Sequence, residues 1–399
     1  MKRIYLQKAK KQIARPNTIR DINRQIVLNY VRDRSPISRA DIARETDLQR
    51  STVSSIVDGL QNDGLIEEIG SGDSTGGRKP TLLRLRIGTP VAIGVDVTPT
   101  VTNIAVADLA GIVLEMETID TVSDSDSMSR EIVKIVEKFA KKFKESNLEV
   151  GISVPGVTEQ MTGRVRYIPY FQWKDWDIGK RIIQKTKLPV TIENDANAIA
   201  LAELWFGRED VRKISNFITV LVAEGVGTGV VFDGQVYRGE KGAAGEFGHM
   251  IVGKNAPVPC SCGSFDCWEA HSSEKAIIAR YTKLSENGQI PKGGYAINQI
   301  IQRANLGEER AISSLKETAF YLGVGIANLV VGLSPQAVVI SGRIIRAWNL
   351  IADDLKNIVE KSVQGGLPKT VLIPSTLGDH PTLKGSLTLI LAKKFASAS

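Results

Sequence analysis

The chain has 399 residues, 42% of them apolar and 24% charged, with a formal charge of +7. That length predicts two or three domains, and the composition is that of a water-soluble folded protein. No apolar run approaches the roughly 18 residues of a membrane helix, so a helical span is excluded; the basic N-terminus lacks a signal-peptide core, which predicts a cytoplasmic protein. The charge is local. Residues 1–88 hold 17 Lys and Arg against 10 Asp and Glu, and the remainder holds 34 of each. A basic segment on a neutral body points to a polyanionic partner.

Residues 1–20 carry seven basic side chains and no acid, the composition of a loose arm or short first helix. From Asn17 to about Arg34, Ile19, Ile22, Ile26, Val27 and Tyr30 recur at helical spacing. Ser35-Pro36 ends that helix. Ser38 caps a second, Arg39 to Thr46, with Asp41 completing a variant capping box. After a turn at Asp47-Leu48, a third helix runs from about Arg50 to Asn62, with Val53, Ile56, Val57 and Leu60 on one face and Gly64 at its end. Residues 65–69 and 82–85 read as strands flanking a Gly/Ser-rich tip. A longer helix, two short helices joined by a tight turn, and a wing make a winged helix-turn-helix over 1–88. Its candidate DNA contacts are Arg39, the start of the third helix (Gln49, Arg50, Ser51, Thr52, Ser54 and Ser55) and Arg78-Lys79 in the wing. Small polar and cationic groups suit base edges and phosphates in the major groove, and a glycine-flanked Arg-Lys pair suits a narrow minor groove.

Residues 89–399 read as strands followed by helices, twice over. Strands are predicted over 91–97, 103–108, after Gly111, and over 150–154 and 190–193, with helices over 127–144 and 196–206. A second hairpin covers 217–232, followed by helices near 307–333 and 346–363 around a strand at 337–341. This pattern indicates a two-lobed α/β body with a ligand cleft between the lobes. The final strand and helix, 370–396, show no chemistry of their own. Tyr170, Trp173 and Trp176 are candidates for either stacking at the cleft or core packing, and His271 and His380 read as structural or exposed. His249, Cys260, Cys262 and Cys267 supply one imidazole and three thiols, a donor set that Zn²⁺ takes in closed sites. A cluster of buried free thiols is the other reading of the same residues.

The motifs Val154-Pro155-Gly156, Glu193 to Ala198, Gly245-Glu246-Phe247-Gly248-His249, and Cys260-Ser261-Cys262-Gly263 with Cys267-Trp268-Glu269 carry a resemblance to the ROK family of repressors, open reading frames and kinases. The resemblance spans nearly all of 90–399 and implies an actin-like, ribonuclease-H-like sugar-kinase fold. With the winged helix in front, the chain is similar to the repressor branch, of the xylose and N-acetylglucosamine type. The resemblance implies zinc on His249, Cys260, Cys262 and Cys267, structural because four protein ligands leave no position for a reactive water. It also implies that Asn194, Asp195, Glu246, His249 and Glu269 bind sugar hydroxyls, and that Asp195 matches the general base of the kinases.

Three turns depart from the kinase pattern. The family's first, Asp-x-Gly-Gly-Thr, is here Asp96-Val97-Thr98-Pro99-Thr100, which lacks both glycines and loses an N–H at Pro99. The second, Gly-Thr-Gly-x-Gly, is Ala223-Glu224-Gly225-Val226-Gly227, and Glu224 would repel phosphate. A glycine-rich turn is likewise replaced by Ser341-Gly342-Arg343. The sequence therefore predicts a non-enzymatic regulator: a homodimer or homotetramer, with operator DNA and a monosaccharide (xylose or glucose by resemblance) as partners and no membrane. A DNA-binding sugar kinase, which would release ADP, and a scaffold with an inactive sensor are the alternatives.

Overall fold

The computed structural model describes residues 16–72, 79–159, 163–283, 296–362 and 368–396, with side chains from residue 19 onward. Helix α1 (Pro16–Arg34) buries Val27, Leu28 and Val31. The strand β1 (Ile37–Ser38) leads into α2 (Arg39–Thr46), whose first turn is capped where the Ser38 hydroxyl accepts the Asp41 N–H at 3.1 Å. Asp47, with a φ of 58°, turns the chain out of α2. Helix α3 (Arg50–Asn62) buries Val53, Ile56, Val57 and Leu60, the face its spacing predicts. Gly64, with a φ of 70°, reverses the chain into β2 (Ile66–Ser71), which pairs antiparallel with β3 (Thr81–Leu85). The sheet has a third strand unexpected from sequence, because β1 is two residues long and shows no alternation; its order is β1-β3-β2. The wing tip, Arg78 included, lies outside the described residues.

The body repeats one topology. In the first lobe, β4 (Pro90–Val97), β5 (Val101–Asp108) and β6 (Val113–Asp120) form an antiparallel meander. Helix α4 (Ser125–Lys142) precedes β7 (Glu149–Val154), which pairs parallel with β4. An excursion follows: β8 (Val157–Glu159), β9 (Arg164–Ile168) and β10 (Trp173–Trp176) make a small antiparallel sheet, and α5 (Ile178–Thr186) returns the chain to β11 (Val190–Asn194), parallel to β7. The large sheet is ordered β11-β7-β4-β5-β6. Helix α6 (Asp195–Phe206) and the short α7 (Glu209–Arg212) lead to the second lobe. There β12 (Phe217–Val222), β13 (Val226–Phe232) and β14 (Gln235–Val236) form the meander. After a loop come α8 (Trp268–Ser272), α9 (Glu274–Lys283), α10 (Ile297–Asn305) and α11 (Glu309–Leu333). The parallel strands β15 (Ala337–Ser341) and β16 (Val371–Pro374) flank α12 (Trp348–Ser362), and α13 (Pro381–Phe395) closes the chain. The order β14-β13-β12-β15-β16 matches the first sheet strand for strand.

The small β8–β10 sheet was invisible in the sequence except for its aromatics, and it decides their role. Trp173 and Trp176 are buried in the first-lobe core, with Nε1 atoms donating to the Ser123 carbonyl and the Ser129 hydroxyl. Core packing therefore holds for both, while Tyr170 stays partly exposed under the Lys275 ammonium, 4.1 Å from its ring centroid. His271 is buried and stacked on Tyr321, and His380 is exposed.

Helix α13 reaches back from the end of the chain to pack on the first-lobe sheet and along α6. Glycines allow this. A Cβ at Gly94 would meet the Ser386 and Leu387 side chains, one at Gly151 would run into the Ser386 carbonyl oxygen, and one at Gly385 into the Ala198 backbone. On α6, Glu203 is fully buried and accepts a hydrogen bond from Ser375, just after β16. Burial raises its pKa from 4.5 to about 7, against the pull of Ser375 and Lys384. Its folded pKa lies above its unfolded value, so its contribution is intact below pH 4.5 and stability falls as pH rises to about 7, by about 3 kcal/mol in full. Glu203→Gln should flatten the pH dependence of the melting temperature between pH 5 and 8, with the variant gaining on the wild type toward pH 8; parallel curves would refute the assignment.

Candidate functional site

The cleft between the lobes gathers carboxylates from four places. Asn194 ends β11 and caps α6: its Oδ1 accepts the Asn197 N–H at 3.1 Å, and its Nδ2 donates to the Gly156 carbonyl at 3.2 Å. Asp195 follows as the first residue of α6. Burial, with the like charges of Asp96 and Glu246 beside it, raises its pKa to about 7. Asp96, at the end of β4, is pushed up to about 6 by burial, while the Thr382 and Ser153 hydroxyls bond it at 2.7 and 3.1 Å. Glu246 sits in a short 3-10 turn, 246–249, entered through Gly245 at a φ of 89°. Burial and the neighbouring Glu269 raise its pKa, against the pull of His249. Glu269, on α8, accepts the Val226 N–H at 3.3 Å and the Ser261 hydroxyl at 3.1 Å. Asn194 and Asp195 from the first lobe thus meet Glu246, His249 and Glu269 from the second, and a carboxyl with a raised pKa, such as Asp195, can donate as well as accept a hydrogen bond.

Next to them, the donor atoms of His249, Cys260, Cys262 and Cys267 all lie within 4.8 Å of one another. Cys262 and Cys267 sulfurs are 3.7 Å apart and Cys260 Sγ is 3.3 Å from His249 Nδ1. Around a tetrahedral centre with bonds of about 2.3 Å, sulfur–sulfur edges are about 3.7 Å, so these four residues could hold a metal ion. Burial pushes the Cys260 and Cys267 thiols up, and a bound cation would reverse that by favouring thiolate. His249 Nε2 stands 3.7 Å from Glu246, which would orient a ring that ligates through Nδ1.

Directly beside the cleft carboxylates, side chains fill the two turns, the second of which touches Glu269 through Val226 and Gly225. Thr98 closes the first turn on itself, its hydroxyl donating to the Val101 carbonyl at 2.7 Å. Thr100 reaches across the cleft to Glu224 at 3.4 Å. Glu224 lies 3.9 Å from Arg343, and Arg343 forms a two-pronged pair with buried Glu274, Nε to Oε1 at 2.8 Å and Nη2 to Oε2. The departures noted in the sequence are therefore connected: Glu224 and Arg343 meet one another, and Thr100 joins them from the other lobe.

In the winged helix, Gln49, Arg50, Ser51 and Ser55 are exposed at the start of α3, with Thr52 and Ser54 partly so, and Lys79 is exposed at the wing. Arg39 is partly exposed, and its guanidinium bonds Asp58, Gln61 and Glu68 at 2.6, 2.9 and 3.2 Å, tying α2 to α3 and the wing.

A model of the ROK family matches residues 92–393, and a model of the MarR family matches residues 26–75. The chain belongs to the ROK family. A xylose repressor of Bacillus subtilis is 31% identical over 95% of this chain and 97% of its own length. The N-acetylglucosamine repressor of Escherichia coli O157:H7 is 26% identical over 95% and 94%. Among solved structures, a ROK family transcriptional regulator, a homologue of the E. coli MLC protein, superposes with a TM-score of 0.76 at 25% identity, covering 95% of this chain and 97% of that one. A ROK family glucokinase from Streptomyces griseus reaches 0.67 at 25% identity, covering 75% of this chain and 99% of the kinase. The actin-like body with a winged helix in front is therefore shared with regulators along nearly the whole chain.

Several residues of this ROK body escaped sequence reasoning. Arg238 pairs with buried Glu193 at 2.6 Å, and Glu193 in turn accepts the Asn194 N–H at 3.0 Å and bonds the Asn197 amide at 3.3 Å. Glu274, Ser153 and Thr382 likewise carried no local signal. The stretch 370–396, read as chemically silent, delivers Thr382 to Asp96. Arg343→Met should strand Glu274 beside Glu224 and cost about 1–3 kcal/mol, discounted for Arg343's exposure. Adding Glu274→Gln should recover more than half of the lost thermal stability; no recovery would mean the pair is incidental.

Proposed function

We propose that this chain is a sugar-responsive repressor that binds operator DNA through its winged helix and a monosaccharide in the cleft. The asymmetry of the cleft carries the reading. Groups suited to hydroxyls converge in one place, and next to them an acidic side chain, with its neighbouring arginine already paired to Glu274, stands where nucleotide phosphates would need bare backbone and positive charge. Similarity along nearly the full length to proteins named as repressors supports it. The named xylose repressors among them favour xylose as effector.

Asn194, Asp195, Glu246, His249 and Glu269 take the sugar hydroxyls, which charged and amide groups bind in pairs. Gln49, Arg50, Ser51, Thr52, Ser54 and Ser55 enter the major groove, and Arg78 and Lys79 follow the wing into the minor groove. In a homodimer the two α3 helices meet half-sites about 34–36 Å apart. Sugar binding favours a body conformation that changes this spacing. The ion suited to the His249 and cysteine set is Zn²⁺, which would lock the segment that carries Glu246 and Glu269. The winged helix is assigned to 1–88 and the sensor to 89–399.

Fluorescence anisotropy with an operator fragment at fixed salt, with and without xylose or glucose, tests the central claim. A change of about 5–150-fold in affinity is expected, and identical affinities would end it. ATP with either sugar should give no ADP above background; brisk release would instead favour a DNA-binding kinase using Asp195 as base. Metal analysis of the purified protein should find about one zinc per chain, lost in Cys260→Ser together with several degrees of thermal stability.

A further inference from the structure

Helix α1 of the winged helix is docked on the two helices that line the sugar cleft. Arg32, on its last turn, is 15% exposed and lies with its guanidinium carbon 4.9 Å from the Trp205 ring centroid and 4.8 Å from that of Phe395. The two rings stack with centroids 6.0 Å apart. Asp33 fixes the other edge of the guanidinium at 2.9 and 3.0 Å and is itself held by Arg212 of α7 at 3.2 Å. One turn earlier, Asn29 donates to the Phe395 carbonyl at 3.0 Å, and Gln25 donates to the Ala396 carbonyl. These last carbonyls of α13 have no partner within their own helix, so α1 supplies the missing donors.

Both helices that meet Arg32 begin in the cleft. Helix α6, capped by Asn194, starts with Asp195 and carries Trp205 about 15 Å away near its far end. Helix α13 places Thr382 on Asp96 and Ser153 in its first turn, and Phe395 at its last. The backbone-close packing at Gly94, Gly151 and Gly385 leaves these helices little freedom to move independently. The docking itself is imperfectly satisfied: Gln25 Oε1, Asn29 Oδ1 and Arg32 Nη1 are buried without a hydrogen-bond partner. A contact with unmet polar atoms is poised to release, because solvent can satisfy them on undocking.

We infer that Arg32, seated on Trp205 and Phe395, is the positioning residue that couples sugar occupancy of the cleft to the orientation of the winged helix. A sugar drawing on Asn194 and Asp195 acts on the head of α6 and, through Asp96 and Thr382, on the head of α13. The shared shift at their far ends changes the aromatic seat of Arg32, and α1 follows.

The inference rests on the sugar-responsive reading, and one experiment separates the two. Full-length wild type, Arg32→Met, Arg32→Lys and Phe395→Leu are compared. Xylose affinity is measured by calorimetry and operator affinity by anisotropy, with and without saturating xylose; glucose replaces xylose if xylose gives no heat. The wild type should show the 5–150-fold ratio typical of coupled sites. In Arg32→Met, which keeps an apolar stem but no cation, and in Phe395→Leu, the ratio should fall to within about twofold of one, with sugar affinity within about threefold of wild type. Arg32→Lys, which restores a cation over the rings, should recover part of the ratio. Variants that keep the full ratio, or that lose sugar binding as well, overturn the inference while the sugar-responsive reading stands. A wild type indifferent to both sugars overturns both.

Discussion

The structure depends on how closely one helix approaches a sheet. Helix α13 lies against β4, β7 and α6 at distances only glycine permits, at Gly94, Gly151 and Gly385. At Gly151 and Gly385 the approach is to backbone, and at Gly94 the Ser386 and Leu387 side chains fill the space a Cβ would take, so the helix is held along its length and its two ends are fixed with it. One end puts Thr382 on the buried Asp96, the other puts Phe395 under Arg32. The cleft and the winged helix are thus joined by the packing of a segment that belongs to neither.

Within the cleft, charge decides function. Asp195 and Glu246 have pKa values raised mainly by burial, with like charges nearby. A carboxyl with a raised pKa can donate as well as accept a hydrogen bond, which suits a neutral hydroxyl. The adjoining turns follow the same logic: Glu224 adds a negative charge, and Arg343, which could have met a phosphate, is committed to Glu274. A kinase body becomes a sensor through a few substitutions that satisfy one another, with the fold unchanged.

Much of this was legible beforehand. The helices of the winged domain follow from apolar spacing and the Ser38 cap, which are local signals. The repeated strand-then-helix pattern announced two lobes, and the resemblance of the chain's motifs to the ROK family marked the His249 and cysteine cluster and the cleft carboxylates. The β1 strand and the β8–β10 sheet were missed because two to five residues are too few for a period to emerge. The partners of Arg39 within the winged domain were not legible, because Asp58, Gln61 and Glu68 come from other elements and carry no local signal of that contact.

The sequence alone determined the order of elements, the separation of a basic DNA-facing segment from a neutral body, and the chemistry available to the cleft, because each is written in neighbouring residues or in residue type. Only the tertiary structure decided which groups meet: Glu224 with Arg343, Glu193 with Arg238, Thr382 with Asp96, Arg32 with Trp205 and Phe395. Those partners lie 45 to 363 positions apart in the chain. Contacts at such separations are set by how helices and sheets pack, and packing leaves no local periodicity for a sequence to show.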